Sequence, residues 1–285
     1  MTKLLYILTL VLSVAAWAQS SSAQNASLHN VIAQKLSDAK ASEQVNPDSG
    51  TCAFNFVFGN DQQDASMKYC VTSNGNIAQF EIPIHVSLVA PNHAEGYGIC
   101  DVGPLVAYSD WGGLGDSGNW GTATVVSQDA KSVKIARTTS DGIWTLTQTI
   151  TRMAGSTPYA KIAMTLRNNS STLRTAVLIR YADADVGGLS TNNFTSTILS
   201  GSAWNSSLTR ETSALFGVAL QNVGVSKAGG QGFARDTAVP PSACTPLDHL
   251  VTGLATDIDG SLEMYYQANI PAHGAVTATV AYKGL

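Results

Sequence analysis

The chain has 285 residues, with 16 Lys and Arg against 20 Asp and Glu, 44% hydrophobic residues and only 13% charged ones. Globular domains average roughly 25% charged residues, so polarity here rests on Ser, Thr, Asn and Gln, a balance that excludes a disordered acidic or basic chain. No basic excess exists to neutralise phosphates, which argues against a nucleic-acid partner. At the N-terminus, Lys3 precedes a run from Leu4 to Trp17 broken only by Thr9 and Ser13, and Ala16-Trp17-Ala18 fits a small-x-small cleavage site. This is the pattern of a secretory signal peptide ending at residue 18, with an alternative end at Ala23. The apolar run of about 14 residues falls short of the roughly 20 that a membrane anchor needs. The mature chain is therefore expected to be secreted or periplasmic and to carry no membrane span. Residues 19–50 read as a polar segment, a short helix over Ser27–Ala41 with Leu28, Val31, Ile32 and Leu36 on one face, and a linker containing Pro47.

From Thr51 to Leu285 the pattern changes to short strands between turn residues, which predicts a single domain over 51–285. Strands are expected at Thr51–Phe58 and Met67–Ser73, then at Ile77–Ile82 after the hairpin signal Asn74-Gly75-Asn76. Thr122–Ser127 and Lys131–Thr138 flank a second turn at Gln128-Asp129-Ala130. Trp144–Met153 alternates cleanly: Trp144, Leu146, Gln148 and Ile150 share one face, and four threonines share the other. Ala160–Arg167 alternates likewise, and Thr175–Ile179 is apolar on both faces, as a central strand should be. Further strands are expected at Leu215–Gln221, Val251–Thr256, Leu262–Gln267 and Ala275–Ala281, with an Asp259-Gly260 turn between the second and third of these. The fold class is all-β: a large antiparallel β-sandwich of roughly 14 strands, with one short N-terminal helix.

Four cysteines, Cys52, Cys70, Cys100 and Cys244, suit two disulfides in an exported chain. Three pairings are open. Folding the hairpin about Asp61 brings Cys52 opposite Cys70, which favours that pair and leaves Cys100 with Cys244. Free buried thiols are the alternative.

Several runs together resemble a group of exported bacterial all-β proteins. They are Val71–Ile77 followed by Phe80-Glu81, Glu95–Cys100, Arg137–Gly142, Thr165–Ser170 and Arg180–Asp185. The resemblance covers roughly residues 67–190, implies a secreted β-sandwich and brings no catalytic residues with it. At the level of fold alone, a sandwich of this size is also similar to the galactose-mutarotase-like supersandwich.

Three constellations could carry chemistry. Asp110, Trp111, Asp116, Asn119 and Trp120 lie in a glycine-rich loop, the mix with which proteins hold sugars: indole faces against C–H faces, carboxylates and amides against hydroxyls. The bland reading is a connector with a buried indole. Asp183 and Asp185, together with Asp257 and Asp259, offer hard oxygen ligands of the kind calcium takes. The bland reading there is turn capping, with Arg180 paired to one of them. Glu263 with His249 or His273 could supply an acid/base pair of the mutarotase kind. No serine-hydrolase elbow, zinc-protease motif or phosphate loop is present. The pattern as a whole points to a non-catalytic protein that binds an extracellular ligand, with a carbohydrate the class the first loop suits. The rivals are a carbohydrate-active enzyme of mutarotase-like type and a purely structural surface protein. Nothing in the pattern specifies an oligomeric state.

Overall fold

The computed structural model describes residues 51–60, 66–89, 94–209, 215–224 and 230–285. The signal peptide, the Ser27–Ala41 helix and the linker lie outside them. Four strands form one sheet in sequence order: β1 (Phe54–Phe58), β2 (Met67–Val71), β3 (Ile77–Glu81) and β4 (Ser87–Val89). β5 (Ala94–Asp101) and β6 (Val106–Gly112) pair at the edge of a second sheet. β7 (Thr124–Gln128), β8 (Ser132–Thr138), β9 (Trp144–Met153) and β10 (Tyr159–Asn168) run as a meander at one end of a third. β11 (Arg174–Asp183) returns to the second sheet, and a single 3-10 turn follows at Val186–Gly188. β12 (Asn192–Thr197), β13 (Ser200–Thr209) and β14 (Leu215–Asn222) extend the third sheet, and β15 (Gln231–Arg235) goes back to the second. β16 (Leu254–Ile258), β17 (Ser261–Ile270) and β18 (Ala275–Gly284) complete the two larger sheets.

The resulting orders are β16-β12-β13-β14-β18-β10-β9-β8-β7 and β15-β17-β11-β5-β6. The pairings are antiparallel throughout, as in β9–β10, β11–β17 and β14–β18. The described residues contain no α-helix. This is the expected all-β, sandwich-like class.

Period-two alternation decides which side chains go inside. Trp144, Leu146, Gln148 and Ile150 of β9 are buried and the intervening threonines are not. Outward hydroxyls pair across strands instead: Thr165 with Thr277 at 2.8 Å, and Thr138 with Thr145 at 2.9 Å. The inward set of the nine-stranded sheet (Ile135, Ile162, Met164) shares one apolar cluster with Leu178 and Met264 of the five-stranded sheet and Tyr69 and Phe80 of the four-stranded one. Each such fully buried side chain contributes about 1.5–3 kcal/mol.

β11 is apolar on both faces for a visible reason. Leu178 and Ala182 enter that shared core, while Val177, Ile179 and Tyr181 form a second cluster with Trp111, Cys100 and Ala243. The second cluster is closed by segment 236–250. The disulfides are Cys52–Cys70 and Cys100–Cys244, with Cα atoms 5.5 and 4.9 Å apart. The second anchors segment 236–250 to β5.

Sequence alternation does not reveal β4, β5, β6, β12, β13 or β15. β12 and β13 read NNFTST and SGSAWNSSLT, which look like loop composition. They are strands because neighbours on either side supply the ladder, a tertiary decision that overrides local propensity.

Candidate functional site

The 74–76 hairpin tip is a turn, as expected, but it is buried. Asn74 and Asn76 are almost inaccessible. The tip enters the space between the larger sheets, and two arginines organise what surrounds it. Gly75 is required there: its φ is 92°, and a Cβ would lie 2.4 Å from the Gln148 side chain.

Arg180 is fully buried on the shared-core face of β11. Its Nε donates to Glu95 Oε1 at 2.6 Å and its Nη2 to Glu95 Oε2 at 2.8 Å. Its Nη1 donates to Gln148 Oε1 at 2.7 Å, which explains a polar residue among Trp144, Leu146 and Ile150 on the inner face of β9. Glu95 also accepts from the Tyr282 hydroxyl at 2.7 Å and the Ile77 N–H at 2.5 Å. Burial pushes the Glu95 carboxyl up, and Arg180, Tyr282 and Ile77 oppose that shift. Arg180 is therefore not the partner of Asp183 or Asp185. Asp183 is an odd-numbered residue of β11 and faces the other side.

Arg137 of β8 takes the polar groups of the 110–121 run, of which Asp110 and Trp111 belong to β6 and not, as expected, to a loop. Its Nη1 donates to Asp110 Oδ2 at 2.5 Å, its Nη2 to Asp116 Oδ2, and its Nε to the Gly121 carbonyl at 2.9 Å. Its guanidinium carbon lies 5.3 Å from the Trp120 ring centre. Burial pushes the Asp110 carboxyl up, against Arg137.

The two indoles do not share a platform. Trp120 packs edge-on against Tyr97 and Tyr108 in the shared core, while Trp111 packs edge-on against Tyr181 in the second cluster. Both are 8% exposed. Asn119 donates to the Ala107 carbonyl at 2.9 Å. Asp110, Asp116 and Trp120 thus converge, but on an internal cation. These residues hold β6 to β8, and they do not form an open sugar-binding face.

The carboxylate oxygens of Asp183, Asp185 and Asp259 lie within 4.8 Å of one another, the first two buried and the third exposed. Ligand oxygens on a calcium ion sit 2.3–2.6 Å from it, so this spacing fits one such ion. Asp257 is not in the group; it has a φ of 53°, and its N–H donates to Asn193 at 3.4 Å.

Glu263 does not meet a histidine. It is fully buried in β17, 3.6 Å from Arg235 Nε. His249 is 62% exposed and pairs with Asp236, and His273 sits exposed in the β17–β18 turn. The acid/base pair read from the sequence is not assembled.

A surface cavity of 370 Å³, lined by residues 101–103 and 172–175, went unread in the sequence. It forms where β5 ends beside the start of β11, with Val102 N–H donating to the Thr175 carbonyl at 3.0 Å. Inside it, Arg174 Nη1 donates to Asp101 Oδ2 at 2.5 Å and Nε to Ser170 Oγ at 3.0 Å. Trp144 Nε1 donates to the same Asp101 oxygen at 3.3 Å. Leu173 stands exposed at the rim. No local motif marks the site, because its two halves are about 70 residues apart and meet only through strand pairing.

Fold and site together define a disulfide-bonded, all-β sandwich protein with a small surface cavity of mixed polar and apolar lining. The chain is similar to a solved bacterial glucoamylase complexed with acarbose, at a TM-score of 0.53 and 10% identity over 83% of this chain and 33% of that one. The likeness is one of fold, and the chain spans about a third of that protein's length. No protein-family model and no curated protein matches the chain.

Proposed function

We propose that the protein is an exported, non-catalytic β-sandwich that binds an extracellular carbohydrate in the cavity between Asp101 and Arg174. The cavity carries the reading. Asp101 and Ser170 fix the Arg174 guanidinium, which leaves its other N–H groups for a ligand. Arg174 is the accessible donor, while the Asp101 carboxylate beneath it is buried, fixes it and offsets its charge, which suits a neutral hydroxyl better than an anion. Leu173 offers apolar contact for the C–H face of a ring. The fold likeness to a glucoamylase bound to acarbose is compatible with this reading. The apolar N-terminal run and the two disulfides support export. No described helix is long and apolar enough to cross a membrane. Against a catalytic reading, Glu263 is enclosed and the histidines stand apart from it.

A glycan screen followed by titration calorimetry tests this. Binding is expected, and Arg174→Ala and the surface change Leu173→Asp should each weaken it at least tenfold. No glycan binding, or binding unchanged in both variants, overturns the reading and leaves a structural role. The Asp183–Asp185–Asp259 group is assigned in the same proposal to structural calcium. A chelator should then lower Tm, calcium should restore it, and Asp185→Asn should abolish the response.

A further inference from the structure

Segment 236–250 lies over the second apolar cluster, and side chains of the sheet beneath hold it by its own carbonyls. Arg235 Nε donates to the Asp248 carbonyl at 3.1 Å and Arg235 Nη1 to the Val239 carbonyl at 2.7 Å. The Tyr181 hydroxyl donates to the Ala238 carbonyl, and Ser261 Oγ to the Thr237 carbonyl at 2.7 Å. The ends of the segment are drawn together by the Asp236 N–H donating to the His249 carbonyl at 2.9 Å. Its middle is anchored by the Cys100–Cys244 disulfide and by Ala243 in the apolar cluster.

Beneath this strap lies Glu263, and neither of its carboxyl oxygens makes a hydrogen bond. A buried carboxyl without partners is costly in its charged form and far less so when neutral. Its cross-strand neighbours are Tyr181 of β11 and Phe233 of β15. The titratable and charged groups that act on it are Arg235 of β15, Tyr181 of β11, Tyr265 of its own strand, and Asp248 of the strap. The exposed Asp236–His249 pair stands at the strap's two ends.

We propose that segment 236–250 is a pH-sensitive strap whose latch is Arg235, shared between the strap's carbonyls and the carboxyl of Glu263. With Glu263 protonated, the Arg235 Nε–H serves the Asp248 carbonyl and an Nη1–H serves Val239, and the strap is closed. When Glu263 loses its proton to solvent, a carboxylate stands 3.6 Å from the guanidinium. The full negative charge of a carboxylate attracts the guanidinium more strongly than a neutral carbonyl oxygen does, and a carboxylate can take it in a bidentate pair. Arg235 turns to Glu263, the two carbonyls lose their donor, and the new negative charge faces Asp248 on the strap. Both effects loosen the segment while the disulfide keeps it tethered. The working range is mildly alkaline: burial pushes the Glu263 carboxyl up to about 8, Arg235 pulling it down and Asp248 adding to the rise. This device is independent of the Asp101–Arg174 cavity, so the two readings fail separately.

The test is amide hydrogen exchange of the 236–250 peptides from pH 6 to 9.5, corrected for the intrinsic pH dependence of exchange, with the disulfides intact. Protection in the wild type should fall at least tenfold across the range, and Glu263→Gln should remain protected throughout. A flat wild-type profile, or the same fall in Glu263→Gln, overturns the proposal. Asp248→Asn, at an exposed position, provides a second arm that does not depend on a core substitution folding. Removing that neighbouring charge should move the midpoint of strap release to lower pH, and an unmoved or raised midpoint also overturns it.

Discussion

Arg180 of β11 and Glu95 of β5 form a bidentate ion pair with no exposure to solvent, and the carbonyl of Gly75 accepts from the same guanidinium at 3.3 Å. One pair therefore joins the five-stranded sheet, the β2–β3 hairpin tip and, through Gln148 and Tyr282, the nine-stranded sheet. Arg180→Met should lower unfolding free energy by about 3–5 kcal/mol, the usual cost of stranding one buried charge. Adding Glu95→Leu should recover only part of that, because Ile77 N–H and the Gly75 carbonyl would still lack partners. Urea denaturation of the single and double variants checks both statements. Full recovery in the double variant would show that the pair is not tied to the hairpin tip.

The indoles of the 110–121 run separate packing from binding. Trp111 and Trp120 each fill a different apolar cluster, and truncating a buried Trp to Ala costs about 3–5 kcal/mol. Both variants should lose stability on that scale. Where they remain folded, their glycan affinity should match the wild type, because neither side chain lines the Asp101–Arg174 cavity. Calorimetric titration and thermal melts on the same samples separate the two effects. A selective loss of affinity at unchanged Tm would return the binding role to this run.

The two disulfides should differ in weight. Cys52 and Cys70 are separated by 18 residues and Cys100 and Cys244 by 144. Loop-closure entropy gives about 3 kcal/mol for a loop near the first length and nearly 5 for one above a hundred residues. The Cys100→Ser/Cys244→Ser variant should therefore be the less stable of the two double variants by more than 1 kcal/mol. It should also lose protection in segment 236–250 before the rest of the chain. Equal midpoints in denaturant would show that native-state contacts, not chain entropy, set the contribution of each bridge.

The strand pattern was legible wherever one face is wet. β8, β9 and β10 alternate because their outer sides stay in water and use Thr, Ser and Lys there. β5 and β11 are covered on both sides and carry no period. β11 could still be read from its unbroken apolar run, whereas β5, with its Gly and charged residues, could not. The scarcity of charge was visible at once, but its use was not. Asp110 and Asp116 look like surface groups awaiting a ligand when only their neighbours in sequence are known, and nothing within one strand marks Glu95, Arg137 and Arg180 as buried partners. They are internal because cations and carboxylates from strands far apart in the chain meet in pairs, which alternation within one strand does not encode. The cavity at Asp101 and Arg174 was hidden for the same reason. The disulfide pairing was readable because one bridge closes a local hairpin and the other follows by elimination.

Glu263 gives the fold a pH dependence of predictable sign. In the unfolded chain its carboxyl titrates near 4.5, and burial raises it to about 8 in the native state. Between those values the native state holds a proton that the unfolded state has lost, so stability falls as pH rises. The contribution is complete below about pH 4.5 and is lost as pH passes about 8. At about 1.4 kcal/mol per unit, the full span corresponds to a loss on the order of 5 kcal/mol. Burial also raises the Glu95 and Asp110 carboxyls, so the total profile contains other slopes of the same sign. The comparison that isolates Glu263 is the difference between the wild type and Glu263→Gln, each unfolded in urea from pH 5 to 9. The wild type should lose stability relative to the variant across this range, with most of the change below pH 8. A constant difference would mean that Glu263 is charged in the native state and that Arg235, despite its bonds to Val239 and Asp248, already compensates it.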